Sequence, residues 1–134
     1  VYVLRPHAMQ QPGFVHRLAH EVDAARWLRH PAIAKVDACA ETPNGRLYVA
    51  TERPAGRSLA GVLAEGGRLG VGRVVRLGGR LVEALAEAHA VGLVHGHLTP
   101  AAVTVADGWD EGAHALVTLA GLGVGTVAMD DPVV

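Results

Sequence analysis

The stretch from Val71 to Ala90 constrains the fold most. It is free of proline, and Val74, Leu77, Leu81, Leu85 and Ala88 recur in it at three- and four-residue steps. That spacing lines one side of an α-helix with apolar side chains. A helix of this length runs about 30 Å and needs a comparable partner surface to bury its stripe. Gly92 follows as the expected cap. Gly78 and Gly79 interrupt the pattern. Each costs about 1 kcal/mol relative to alanine inside a helix, so the pair is read as a notch that permits close packing.

The surrounding segments are shorter and mixed in kind. Val1–Leu4 is β-prone and is broken by Pro6 and the Gln10–Gly13 stretch. Phe14, Leu18, Val22, Ala25 and Leu28 predict a helix over Phe14–His30, which Pro31 ends. Ile33–Ala40 and Arg46–Thr51 are expected as strands, joined through Pro43-Asn44-Gly45 as a hairpin. Ser58 is placed to cap a short helix to Glu65, closed by Gly66-Gly67. Beyond the long helix come a short Leu93–Val94 strand, a loop through Pro100, a strand at Ala102–Val105, a turn at Asp107-Gly108 and a strand at Leu116–Ala120. Strands and helices do not alternate regularly, which makes the class α+β rather than α/β.

Composition narrows the function classes. Half of the 134 residues are hydrophobic, enough for one core. The formal net charge is −1, from 12 basic and 13 acidic residues. Neither a basic excess nor a polybasic run points to nucleic acid or to a membrane surface. Lys35 is the only lysine and Cys39 the only cysteine. An intrachain disulfide and a cysteine-based zinc site are thereby excluded, and a reducing, cytoplasmic setting is expected. No run is long and apolar enough to span a bilayer. The chain opens on Val1 within a strand-like run, so it is read as a piece of a longer polypeptide. That would make it cytoplasmic, or the cytoplasmic part of a larger membrane protein.

Two local words carry a family likeness. His95-Gly96-His97-Leu98-Thr99-Pro100-Ala101-Ala102-Val103 resembles the catalytic loop of bacterial Ser/Thr protein kinases, H-R-D-L-K-P-x-N-[IL]. Leu28-Arg29-His30-Pro31-Ala32-Ile33 resembles the L-x-H-P-N-I that closes the αC helix of those kinases. Other pieces fall in the family's order. Leu47–Arg53 resembles the strand into the hinge, with Thr51 as gatekeeper, and Gly56-Arg57-Ser58-Leu59 resembles the start of the next helix. Val117–Gly123 resembles the approach to D-F-G, and Val1–Pro6 the strand bearing the phosphate-binding lysine. The resemblance implies a partial protein-kinase-like fold. Residues 1–52 would be small-lobe strands and the αC-like helix without the Gly-rich loop. Residues 53–134 would be the hinge and the start of the helical large lobe, ending just after the D-F-G-like corner.

Kinase chemistry is positioning plus neutralisation of charge around a triphosphate and its magnesium ions. Carried over residue by residue, the likeness implies that this apparatus is depleted. Glu21 falls at the helix glutamate and is retained. Tyr2 stands for the strand lysine, His97 for the catalytic aspartate, Gly96 for the arginine before it and Thr99 for the loop lysine. Ala102 stands for the magnesium-binding asparagine and Gly121 for the D-F-G aspartate. Thr51, Glu52, Arg53 and Thr104 are the candidate nucleotide-binding positions. His95, Leu122 and Gly123 are expected to be structural.

The same residues admit competing readings. His95-x-His97 with His89 nearby suggests a metal site, but a structural His95 is preferred, and no metal ligand set is assigned. Gly121-Leu122-Gly123-Val124-Gly125 lacks the following helix that a dinucleotide-binding turn requires. Trp27 is expected in the packing around its helix, and Trp109 exposed. The favoured function is a catalytically inactive, partner-binding signalling scaffold, open to nucleotide gating. It requires no cofactor, though ATP could bind without magnesium. An active Ser/Thr kinase with atypical residues and an ATP sensor without turnover are the alternatives.

Overall fold

A computed structural model describes residues 1–4, 6–10, 12–106, 108 and 117–119. The elements run β1 (Tyr2–Val3), α1 (Pro6–Met9), α2 (Phe14–Trp27), β2 (Val36–Glu41), β3 (Leu47–Thr51), β4 (Arg57–Ser58), α3 (Leu59–Gly66) and α4 (Val71–Ala90). A 3₁₀ turn at Pro100–Ala102, β5 (Val103–Val105) and β6 (Val117–Leu119) follow. They form two antiparallel sheets, in the orders β1-β3-β2 and β4-β5-β6.

The first sheet is held at its turn by side-chain chemistry. The Thr42 N–H donates to the Arg46 carbonyl at 2.8 Å across the β2–β3 corner, and the Thr42 hydroxyl accepts the Arg46 N–H at 2.9 Å. The Arg46 guanidinium donates to the Leu4 carbonyl at 3.1 Å, tying the end of β1 to the hairpin. Helix α2 lays Phe14, Leu18, Val22 and Ala25 into a core with Leu4, Ile33, Val36 and Val49. A second core gathers Leu59, Leu77, Val103 and Val105 around the second sheet. Helix α4 serves both. Leu77 belongs to the second core, while Ala84 and Ala88, with Leu93 beyond the helix, belong to the first.

Several expectations are corrected. Helix α2 stops at Trp27, not His30, because Leu28 is already extended. The His30 imidazole accepts the Ala32 N–H at 3.1 Å and the His30 carbonyl accepts the Ile33 N–H at 3.0 Å. Residues 30–33 therefore make a turn, and β2 begins only at Val36. Pro6, expected to break the first strand, follows its end at Val3 and also opens the short helix α1; proline suits a first helical position, where its missing N–H is not needed. The Leu93–Val94 strand is not formed. The Leu93 N–H donates to the Ala88 carbonyl at 2.9 Å, and Gly92, at φ 78°, closes α4 in a left-handed cap.

Helix α4 buries its expected Leu77 and Ala88 and packs Leu81 and Leu85 against the second core, but departs from the expected face at one position. Val74 is half exposed, and Ala84 is fully buried in its stead. A Cβ built on Gly78 or Gly79 meets nothing within 4 Å. Among the described residues the pair therefore permits no close packing and leaves only the propensity cost. Gly79→Ala is expected to stabilise the chain by about 1 kcal/mol. A rise in the urea midpoint with unchanged slope would show it, and a fall would mean that something does pack there. Trp27 is 79% exposed, contrary to the expected packing role. Trp109 and Asp107 lie outside the described residues.

Candidate nucleotide cleft and catalytic-loop equivalent

Tyr2, expected at the strand-lysine position, lies on β1 opposite Val49 of β3. Its phenol is half buried, and desolvation raises its pKa above the ordinary value. Glu21 lies on α2, partly buried beside Val22. Among the described residues no hydrogen bond joins Tyr2 and Glu21. A phenol cannot in any case supply the positive charge that a lysine would bring to a phosphate.

Thr51 ends β3 opposite Val36, and Glu52 and Arg53 follow in extended chain. Glu52 is committed to the small-lobe side. Its N–H donates to the Lys35 carbonyl at 2.7 Å, and its carboxylate accepts the Lys35 N–H at 3.2 Å. This two-way clasp was not foreseen from sequence, because its partners lie seventeen positions apart. Pro54 carries no N–H. Among the candidate nucleotide-binding positions Thr51, Glu52 and Arg53, the backbone donor left uncommitted is therefore the Arg53 N–H, and the acceptors are carbonyls.

The connection from Leu93 to Val103 turns on Gly96, at φ 73°. His95 is 4% exposed, and its Nδ1 accepts the His97 N–H at 3.3 Å, which puts the ring proton on Nε2. The His97 ring itself is exposed. Thr99 is half buried, and its carbonyl accepts the Ala102 N–H at 3.0 Å, forming the 3₁₀ turn. Ala102 is half buried beside the second core. Thr104 pairs with Ser58 on one side and Thr118 on the other. Gly121, Leu122 and Gly123 lie outside the described residues.

The electrostatic character of this loop follows from the sequence. From Ala88 to Ala106 there is neither aspartate nor glutamate. The loop can therefore offer a magnesium ion only backbone carbonyls, hydroxyls and imidazoles, which are poor substitutes for carboxylate oxygen. Among the described residues no three His, Cys, Asp or Glu side chains gather where they could hold a metal.

No protein-family model matches the chain. Over 103 residues, 77% of its length, it is 34% identical to the serine/threonine-protein kinase pkn3 of Myxococcus xanthus, covering 19% of that protein. Over 109 residues, 78% of its length, it is 32% identical to the serine/threonine-protein kinase PknA of Mycobacterium tuberculosis, covering 25% of it. The crystal structure of the M. tuberculosis PknI kinase domain superposes with a TM-score of 0.77 at 28% identity, over 91% of this chain and 46% of that one. The chain thus spans a fifth to a quarter of these curated relatives and about half of a solved kinase domain.

Proposed function

This chain belongs to the bacterial Ser/Thr protein kinase family and carries part of a protein-kinase-like fold, and we propose that within that family it is a pseudokinase module, a scaffold that binds a partner protein. The observation that carries the reading is the carboxylate-free loop. His97 is exposed and Ala102 is half buried at the two loop positions where phosphoryl transfer needs an aspartate and a magnesium-binding asparagine. Tyr2, in place of the strand lysine, removes the charge that would hold the phosphates. A scaffold requires only the packed sheets and helices, and these tolerate every such replacement. A reducing, cytoplasmic setting belongs to the same proposal, as Cys39 is the only cysteine in the sequence. No described helix is long and apolar enough to cross a membrane.

Nucleotide gating is a finer part of the reading. The Thr51–Arg53 segment supplies adenine-facing backbone, and the single Arg53 donor favours weak binding. The test is thermal unfolding of the chain with and without ATP, in magnesium and then in EDTA, beside a phosphate-label assay. A ligand present at a hundred times its Kd adds about 2.7 kcal/mol. The expected result is no labelled product and no magnesium-dependent shift. A shift that survives EDTA would support metal-free nucleotide gating. A magnesium-dependent shift with label transfer would overturn the pseudokinase reading and favour an active kinase with atypical residues.

A further inference from the structure

Helix α2 has a second face that the kinase-like reading does not use. Phe14, Leu18, Val22 and Ala25 point into the core, and on the opposite side His16, His20, Asp23 and Trp27 are all exposed. His16 and His20 stand four residues apart within one regular helix. Side chains at that spacing are neighbours on the helix surface, with about 5–6 Å between Cβ atoms. Paired imidazoles so spaced can both reach one zinc ion. Neither ring makes a hydrogen bond or ion pair among the described residues, so their nitrogens are open to a ligand.

The start of α2 supplies a second observation. Gly13 precedes the helix in a left-handed conformation with no side-chain cap, and the first turn carries no acidic residue. The usual means of supporting a helix N-terminus are therefore missing. A metal joining His16 to His20 would clip these turns together just before Glu21, against the repulsion that the positive helix N-terminus exerts on a cation.

We propose that His16 and His20 form a two-imidazole site for a divalent transition metal of the zinc class, and that its occupancy stiffens α2. Imidazole nitrogen suits zinc, copper and nickel rather than magnesium or calcium. Water would complete the coordination of a metal held by these two imidazoles. No three-residue metal group is formed among the described residues, so the site is a clip of modest affinity rather than a closed cage.

The experiment is amide hydrogen exchange of the whole chain in excess zinc chloride and then in EDTA. Zinc at ten times its Kd should slow the α2 amides that exchange by local opening about tenfold. EDTA should reverse the slowing. His16→Gln and His20→Gln should each abolish it while leaving metal-free exchange unchanged, because both residues are exposed. His97→Gln should leave it intact. Exchange that ignores zinc overturns the proposal, and so does slowing that persists in His20→Gln.

Discussion

Replacing Gly56 by alanine should destabilise the chain by about 3 kcal/mol or more, a large effect for one methyl group. Gly56 adopts φ 124°, a backbone conformation that residues with a Cβ rarely enter. The added Cβ would also fall on the Val105 carbonyl oxygen and lie 2.8 Å from the Ala106 Cα. Both are backbone atoms, so no rotamer change can relieve the clash. The site lies where the chain leaves the hinge and Arg57 pairs with Val105. A forced separation would pull β4 from β5 and loosen the second core beneath. Urea unfolding should show a much lower midpoint. An unchanged midpoint would mean that this backbone approach is not made in solution.

The second large effect is expected at Leu18. Its side chain is 2% exposed at the centre of the α2 face, in the core with Phe14, Val22 and Val49. Leu18→Ala removes buried apolar surface and leaves a cavity, together costing about 2–5 kcal/mol. Typical domains hold only about 5–15 kcal/mol in total, so this variant should be partly unfolded on mild heating. Val15→Ala is the control from the same helix. Val15 is 46% exposed, and its loss should change stability by no more than about 0.5 kcal/mol. Equal midpoints for the two variants would place the α2 packing face elsewhere.

These two residues also separate what sequence could and could not foretell. Leu18 was legible, since its place in the Phe14–Val22 stripe fixes it inside whatever α2 packs against. The strain at Gly56 was not, because it depends on Val105, almost fifty positions away. The candidate site divides the same way. That the loop from His95 to Val103 lacks carboxylates is a fact of sequence alone. That His95 is buried and holds the His97 N–H, and that Glu52 clasps Lys35, are facts of assembly.

Helix α4 gives the clearest boundary between the two. Its limits, Val71 and Ala90, follow from the apolar periodicity on both sides of Gly78-Gly79 and the glycine beyond it. The β2–β3 hairpin likewise follows from Pro43-Asn44-Gly45 and its flanking β-prone runs. Local chemistry decides such features, because turn geometry and helix caps depend on neighbours in the chain. Which side of α4 turns inward was decided by the two cores that meet it. They draw in Leu77, Ala84 and Ala88, and they leave Val74 half exposed and Gly78 open. A helical repeat sets the spacing of a stripe, but only the surfaces packed against it choose its rotation about the axis.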